Sequence, residues 1–263
     1  MKKFLVIGNP IEHSLSPKLH NHWIKSNNLK AFYDKKRLDA SELENLIKKV
    51  REKKIHGINV TVPFKNSIIP FIDKLSDESE KTQSVNTIYL ENETVIGHNT
   101  DIEGFKLAVQ NINYDVYGKT VLLLGTGGVS PSIIVALNNM LAEKIFVSNR
   151  TQSKAENLKK FFNKIEIVEW GKIPDFDMII NATSLGLKND DYINLDYSKI
   201  SSDKFFYDVI YNPSETNFLK FAKKNGNRVE NGKKMFIYQA QAAFRIWNNF
   251  EPKIDNSVME ILN

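Results

Sequence analysis

Two residues of this chain are suited to moving a proton, and each ends a short polar motif. Lys65 closes Asn59-Val60-Thr61-Val62-Pro63-Phe64-Lys65, and Asp101 closes Gly97-His98-Asn99-Thr100-Asp101. A lysine ammonium can hydrogen-bond a ketone oxygen, stabilise the charge that develops there and donate a proton. A neighbouring carboxylate would keep that ammonium oriented. The same two residues could instead form an ordinary surface ion pair, which stabilises little. Their types and positions alone do not separate the two readings. Other polar groups fall at similar places. Ser14 and Ser16, in Ser14-Leu15-Ser16-Pro17, can aim two hydroxyls at an anion beside the N–H groups of a following helix, or can simply cap that helix. Thr61 ends an apolar run and Asn86 precedes a predicted hairpin. Strand ends are where open α/β sheets place ligands. Asn59 reads as a support that holds Lys65 or Asp101 in place.

A proton donor of this kind needs a hydride source, and the next motif suggests one. Val121-Leu122-Leu123-Leu124 runs into Gly125-Thr126-Gly127-Gly128-Val129-Ser130, with a helical pattern after it. Small residues let the backbone approach a pyrophosphate, and a helix N-terminus presents free N–H groups and a positive dipole end. Pro131 is tolerated in a first helical turn. Ser130 stands where Gly or Ala is usual, which predicts slightly looser helix–strand packing. The second strand of the unit ends at Ser148-Asn149-Arg150-Thr151. An NAD site would place a carboxylate there, for the ribose 2′-hydroxyl. Asn149 and Arg150, with Lys154 a turn later, favour a 2′-phosphate, because a guanidinium binds phosphate bidentately where a carboxylate repels it. NADP is the expected cofactor.

The elements that must position these groups follow from apolar periodicity. Residues 4–8 form an apolar run stopping at glycine, as a buried parallel strand would. A helix is predicted over 17–27, opened by Pro17, and another over 39–54, with Leu43, Leu46, Ile47 and Val50 on one face and a capping box from Asp39 and Glu42. Residues 57–62 are β-branched and read as a strand; 87–90 and 94–96 flank Glu91-Asn92-Glu93 as a hairpin. Beyond Gly118 the alternation is regular, with strands at 120–124, 144–148, 177–180 and 205–209 and helices at 130–141 and 153–162. That repetition argues for a doubly wound parallel sheet. Met235, Gln239, Ala242, Ala243 and Ile246 share one helical face, and a short last helix covers 256–262. These two helices break the alternation, so they are expected to pack back on the first unit.

Composition narrows the function classes. With 41% hydrophobic and 25% charged residues, the 263-residue chain has the make-up of a globular protein long enough for one large domain or two modest ones. It contains no cysteine, which excludes disulfides, thiolate chemistry and Cys-ligated zinc; no metal site is expected. The net charge of +5 is spread over scattered lysines, and Lys48-Lys49-Val50-Arg51-Glu52-Lys53-Lys54 reads as the cationic end of a helix rather than a nucleic-acid stripe. The apolar run behind Met1-Lys2-Lys3 stops at Gly8-Asn9-Pro10, too soon for a signal peptide. No stretch approaches the roughly 18 apolar residues of a membrane span. A cytoplasmic location is the expectation, with small molecules rather than nucleic acid or membrane as partners; monomer and homodimer both stay open.

In order and spacing, these motifs resemble shikimate dehydrogenase over nearly the whole chain. The likeness is carried by the serine motif, the Lys65 and Asp101 motifs, Ser84-Val85-Asn86-Thr87, the glycine turn and Asn149-Arg150-Thr151. It continues through Asn181-Ala182-Thr183-Ser184-Leu185-Gly186 and Asp208-Val209-Ile210-Tyr211-Asn212-Pro213, and ends with Gln239-Ala240 before Phe244 and Trp247. The resemblance implies reversible, NADP-dependent interconversion of 3-dehydroshikimate and shikimate, a step toward chorismate and the aromatic amino acids. It implies a two-domain α/β fold: a mixed α/β substrate domain, residues 1–101 with 235–263, and a Rossmann-like doubly wound NADP-binding domain, 102–234. Lys65 and Asp101 would be the catalytic pair. Ser14 and Ser16 would bind the substrate carboxylate, and Thr61, Asn86, Asp101 and Gln239 the ring hydroxyls, with Tyr211 nearby. The turn from Gly125 through Thr126, Gly127 and Gly128 to Val129 would hold the pyrophosphate, and Asn149, Arg150, Thr151 and Lys154 the 2′-phosphate. Thr183 and Gly232 would lie near the nicotinamide half.

Three positions depart from the family pattern: Ser130, Lys154 where arginine is frequent, and Leu187 where methionine is common. The nearest rival is a quinate/shikimate dehydrogenase using NAD or NADP. Ser16 in place of threonine and Arg150 in place of an acid favour the biosynthetic enzyme. A rival from another class, a non-catalytic sensor of the same metabolites, expects loss of the catalytic pair, and both residues are present.

Overall fold

The apolar run behind Gly8 becomes the first strand, β1 (Lys2–Gly8), in the computed structural model, which describes residues 1–188 and 191–262. The chain divides into two units, Met1–Gly104 with Ile237–Asn263, and Phe105–Phe236.

In the first unit β1 leads through α1 (Ser16–Ser26) to β2 (Ala31–Arg37), then through α2 (Leu43–Arg51) to β3 (Gly57–Val60). Pro17 lies in the first turn of α1. The predicted 39–54 helix is divided: a 3₁₀ turn, Ala40–Glu42, carries the reciprocal Asp39/Glu42 capping box, and α2 follows it. The helix stops at Arg51 because the chain turns at Lys53, where φ is 57°. Leu43, Leu46, Ile47 and Val50 bury their face against Leu5, Ile7, Ile58, Ile88 and Val95 of the sheet. The chain continues through β4 (Lys74–Leu75), α3 (Asp77–Thr82), β5 (Thr87–Glu91) and β6 (Thr94–His98) into α4 (Asp101–Asn111). Asn92 and Glu93, at φ 46° and 64°, make the two-residue turn whose twist suits a hairpin. Strand order is β2-β1-β3-β5-β6-β4, parallel from β2 to β3 and antiparallel across β3-β5-β6. Sequence periodicity misses β2, which reads Ala-Phe-Tyr-Asp-Lys-Lys-Arg and forms by pairing along β1; edge lysines of this kind discourage further pairing.

The second unit runs β7 (Thr120–Leu124), α5 (Ser130–Asn139), β8 (Lys144–Ser148), α6 (Gln152–Phe161), β9 (Ile165–Val168), β10 (Met178–Asn181), β11 (Phe205–Asp208), α7 (Asn217–Lys224) and β12 (Arg228–Glu230). All six strands are parallel, in the order β12-β11-β10-β7-β8-β9. This is the doubly wound sheet predicted from the alternation. Its order reverses between β7 and β10, so the crevice for a ligand lies beyond the C-terminal ends of those strands. Residues 121–124, 178–181 and 205–208 are buried throughout, which is why these strands read as continuous apolar runs.

Two helices close the chain, α8 (Lys233–Asn248) and α9 (Asn256–Ile261). Trp247 of α8 stacks on Phe4 at 5.0 Å, and its indole N–H donates to the carbonyl of Ile88. Gly57 leaves room for it, since a Cβ there would lie 2.4 Å from the indole nitrogen. Beside Trp247, His20 stacks on Tyr33 at 4.2 Å and meets Trp23 edge-on. Neither ring nitrogen of His20 has a hydrogen-bond partner, and burial lowers its pKa from 6.5 to about 3. The unfolded chain therefore binds a proton at His20 more readily than the folded one. The stability due to neutral His20 is complete above pH 6.5 and is lost as pH falls toward about 3, at about 1.4 kcal/mol per pH unit. Urea unfolding between about pH 6 and 4 should show the parent protein losing stability relative to His20→Leu at close to that slope; parallel curves would contradict it.

Candidate active site

Lys65 and Asp101 meet in the first unit. Nζ of Lys65 lies 2.5 Å from Oδ2 of Asp101, with the side chains only 11% and 8% exposed. This is not the solvated surface pair, because two charges so shielded depend on each other and on their remaining hydrogen bonds. Lys65 sits in the turn after β3, where its carbonyl accepts from the N–H of Val85 at 2.9 Å. Asp101 opens α4, and its N–H donates to Oδ1 of Asn99 at 3.0 Å. Asn99 in turn donates to the Ser84 carbonyl at 2.9 Å. Two residues into α4, Glu103 takes both its carboxylate oxygens to Arg245 of α8, at 2.8 and 2.9 Å, which fixes the start of the helix.

Asn86 joins these parts. Its amide donates to Oδ1 of Asp101 at 2.9 Å, leaving Oδ2 to Lys65. Its carbonyl oxygen accepts the Thr100 N–H at 2.8 Å and the Thr87 hydroxyl at 3.0 Å. Asn59 supports the pair only at one remove. It donates to the backbone carbonyl of Asn86 and to the Thr87 hydroxyl, and accepts the Tyr33 hydroxyl at 2.6 Å. A buried polar chain thus runs from Tyr33 to Lys65. Ser14 accepts the N–H of Ser16 at 3.3 Å and so helps shape the start of α1. Thr61 is half-buried at the end of β3, its methyl 2.7 Å from where a Cβ on Gly8 would stand. Gln239 is half-buried on α8.

The second unit holds the glycine turn between β7 and α5. Gly125 has φ +99°, and a Cβ on it would stand 2.8 Å from the Thr183 methyl and 2.9 Å from the Ala182 carbonyl. Loops following β7 and β10 therefore touch at the reversal of strand order. Ser130 does not loosen this packing; it is fully buried and donates to the Gly125 carbonyl at 3.0 Å, tying the turn to its helix. Within the turn, the Thr126 hydroxyl is buried and has no hydrogen-bond partner, while Gly127 is exposed and Gly128 and Val129 are half-buried. Open backbone, a helix N-terminus and an unsatisfied hydroxyl suit the oxygens of a dinucleotide pyrophosphate. After β8, the Asn149 side chain donates to the Thr151 carbonyl at 2.8 Å and so shapes its own loop. Arg150, Thr151 and Lys154 are exposed at the start of α6, and among the described residues Arg150 and Lys154 form no ion pair. Thr183 donates its N–H and hydroxyl to Oδ1 of Asn181, at 3.0 and 2.7 Å. Tyr211 stacks on Phe236 at 4.6 Å. Gly232 presses on the Val209 carbonyl, where a Cβ would stand 2.0 Å away.

One unit thus offers a shielded ammonium–carboxylate pair, and the other a turn suited to a dinucleotide. Among the described residues no cluster of His, Asp or Glu could hold a metal ion, and no helix is long and apolar enough to cross a membrane. Family models match both units: the shikimate dehydrogenase substrate-binding domain over residues 6–88, and shikimate/quinate 5-dehydrogenase over 106–191. A shikimate dehydrogenase (NADP(+)) of Pelagibacter ubique is 60% identical over 262 residues, covering 100% of this chain and 99% of its own. The chain belongs to the shikimate dehydrogenase family. Among solved structures, the Thermus thermophilus shikimate 5-dehydrogenase in complex with NADP(H) and shikimate matches with a TM-score of 0.90 at 31% identity, covering 100% of this chain and 98% of that one. The Listeria monocytogenes shikimate 5-dehydrogenase, in complex with shikimate and NAD, matches with a TM-score of 0.92 at 27% identity, covering 100% and 96%.

Against this family background, several supporting residues escape sequence reading. Thr87 and Thr100 lie inside quoted motifs, but nothing in their type marks them as partners of Asn86. Tyr33 lies in the unpredicted β2. Asn86→Ala should leave the Thr100 N–H and one oxygen of Asp101 without partners in a buried site. A loss of about 3 kcal/mol in urea unfolding is expected. A loss under about 1 kcal/mol would show that solvent takes over these bonds.

Proposed function

We propose that this family member catalyses the reversible NADP-dependent reduction of 3-dehydroshikimate to shikimate, in the cytoplasm, as a step of chorismate and aromatic amino acid biosynthesis. The observation that carries the reading is the buried Lys65–Asp101 pair, with Asn86 fixing the second carboxylate oxygen. NADPH, when bound, supplies the hydride. The chain's own residues handle the proton. The Lys65 ammonium hydrogen-bonds the substrate's ketone oxygen, stabilises the negative charge developing there and gives up a proton to it. Asp101 keeps that ammonium aimed and shares in hydrogen-bonding the substrate. In the oxidative direction the same pair takes the proton back.

The substrate domain is assigned to residues 1–101 with 235–263, and the NADP-binding domain to 102–234. Ser14 and Ser16 are assigned to the substrate carboxylate, and Thr61, Asn86, Asp101 and Gln239 to the ring hydroxyls, with Tyr211 as a further substrate residue. Gly125, Thr126, Gly127, Gly128 and Val129 would hold the pyrophosphate. Arg150 and Lys154, exposed near the start of α6 and without an ion pair among the described residues, are assigned to a 2′-phosphate, together with Thr151 and Asn149. Thr183 and Gly232 are assigned to the nicotinamide half. A bidentate guanidinium–phosphate pair would favour NADP over NAD. The partners are these small molecules, with no nucleic acid or membrane among them.

The direct test follows NADPH or NADH absorbance with shikimate or quinate as substrate and NADP or NAD as acceptor. Shikimate with NADP should give the highest kcat/KM; no turnover of shikimate with either acceptor would end the reading, and a preference for quinate would change its substrate. Lys65→Ala should lower kcat by about 10² to 10⁴-fold with a much smaller change in shikimate affinity. Arg150→Ala should raise KM for NADP by about tenfold, as expected for loss of a charge-assisted contact, while leaving that for NAD near its parent value. Equal weakening of both would remove Arg150 from the 2′-phosphate.

A further inference from the structure

Asp208 is a buried carboxylate that the proposed chemistry leaves unused. It ends β11, is fully shielded from solvent and, among the described residues, has no cation beside it. All its bonds are to neutral donors. Oδ1 accepts the Asn181 amide and the Ile210 N–H, each at 3.0 Å, and Oδ2 accepts the Thr216 hydroxyl at 2.6 Å. Burying a carboxylate without a counter-charge is costly, and here burial raises its pKa to about 6 despite those bonds. A side chain kept at such a cost is expected to do more than fill space.

The bonds of Asp208 lead to the glycine turn. Asn181 ends β10, and it receives both the N–H and the hydroxyl of Thr183 on the oxygen opposite its bond to Asp208. Its amide also reaches the Leu185 carbonyl at 3.0 Å, and the Leu185 N–H returns to the Thr183 hydroxyl. The loop so fixed is the one whose Ala182 carbonyl and Thr183 methyl stand within 3 Å of the Cβ position of Gly125. From the other side, Thr216 caps α7, and its side chain lies 3.2 Å from the Cβ position of Gly186. Asp208 therefore ties the ends of β10 and β11 and the start of α7 into one support, with residues 182–186 held between that support and the turn.

We infer that Asp208 is a positioning residue for the dinucleotide turn, acting through Asn181 to hold Ala182 and Thr183 against Gly125; this rests on the cofactor reading above. Asp208 touches neither substrate nor cofactor in this account. Its removal frees the 182–186 loop and lets the wall of the turn drift, so cofactor binding weakens; of the residues assigned to shikimate, only Tyr211 shares this unit. Asn at 208 keeps an oxygen for Asn181 and Ile210 and offers its amide to the Thr216 hydroxyl, so it preserves the support without the charge.

The test is a fluorescence titration of NADPH, with shikimate binding followed in parallel by calorimetry and folding by circular dichroism. Asp208→Ala should raise the NADPH Kd by about tenfold, the scale of one lost supporting hydrogen bond, with a much smaller change in shikimate affinity and Asp208→Asn within about threefold of the parent. An unchanged NADPH Kd in Asp208→Ala, equal losses for both ligands, or an Asn variant as weak as the Ala variant would each overturn the inference. If Asp208→Ala does not fold, Asn181→Ala decides by the same titration, with the same tenfold loss expected and an unchanged Kd decisive against it. A parent protein that fails to bind NADPH would instead refute the cofactor reading itself.

Discussion

Asn86 has one side chain and three obligations, and the first unit is arranged around meeting them together. Its amide must reach Asp101, its oxygen must receive Thr100, and its backbone carbonyl is bonded by Asn59. Only one placement of β5 against β3, and of the 98–101 corner against β5, meets all three. Register errors in a sheet displace side chains by whole residues to the opposite face. A slip here would leave a carboxylate and several amide groups buried without partners, a penalty larger than any single contact could offset. The Lys65–Asp101 pair is held in one geometry because its surroundings admit little else.

The second unit solves a different problem with similar means. A glycine turn that leaves its backbone open cannot be braced by side chains from within. Bracing comes from outside: Ser130 bonds the Gly125 carbonyl from the helix behind it, and Ala182 and Thr183 press on the turn from the next strand. The Ser130 hydroxyl is satisfied by the backbone and the Thr183 hydroxyl by Asn181, so neither brace leaves a polar group of its own unpartnered. The departure of Ser130 from the usual small residue thus has a physical explanation in this chain.

Much of this architecture is readable from residue order, and some of it is not. Strands buried on both faces, such as 121–124 and 178–181, announce themselves as uninterrupted apolar runs. The hairpin at Asn92 and Glu93 and the capping box at Asp39 and Glu42 are local, so short-range chemistry identifies them. Edge strands carry no such signal. β2 is mostly polar, and β9 and β12 are short, because each needs pairing along only one side. The burial of His20 is equally illegible, since a histidine on an amphipathic helix ordinarily finds a polar partner, and its aromatic neighbours come from β2 and the distant α8.

By itself, the sequence determined the chemistry on offer: an ammonium and a carboxylate at motif ends, a glycine turn after an apolar strand, and cations where an acid would mark NAD. These are properties of residue type and local spacing. Only the tertiary structure decided how the polar groups are shared. It gave Asp101 two partners, one on each oxygen, moved Asn59 to a supporting place behind Asn86, and brought Asp208 into line with the turn through Asn181. The physical reason is that a buried hydrogen bond depends on donors and acceptors far apart in the chain arriving at angstrom precision. Such coincidences are set by sheet register and helix packing, and they leave no local trace in the order of residues.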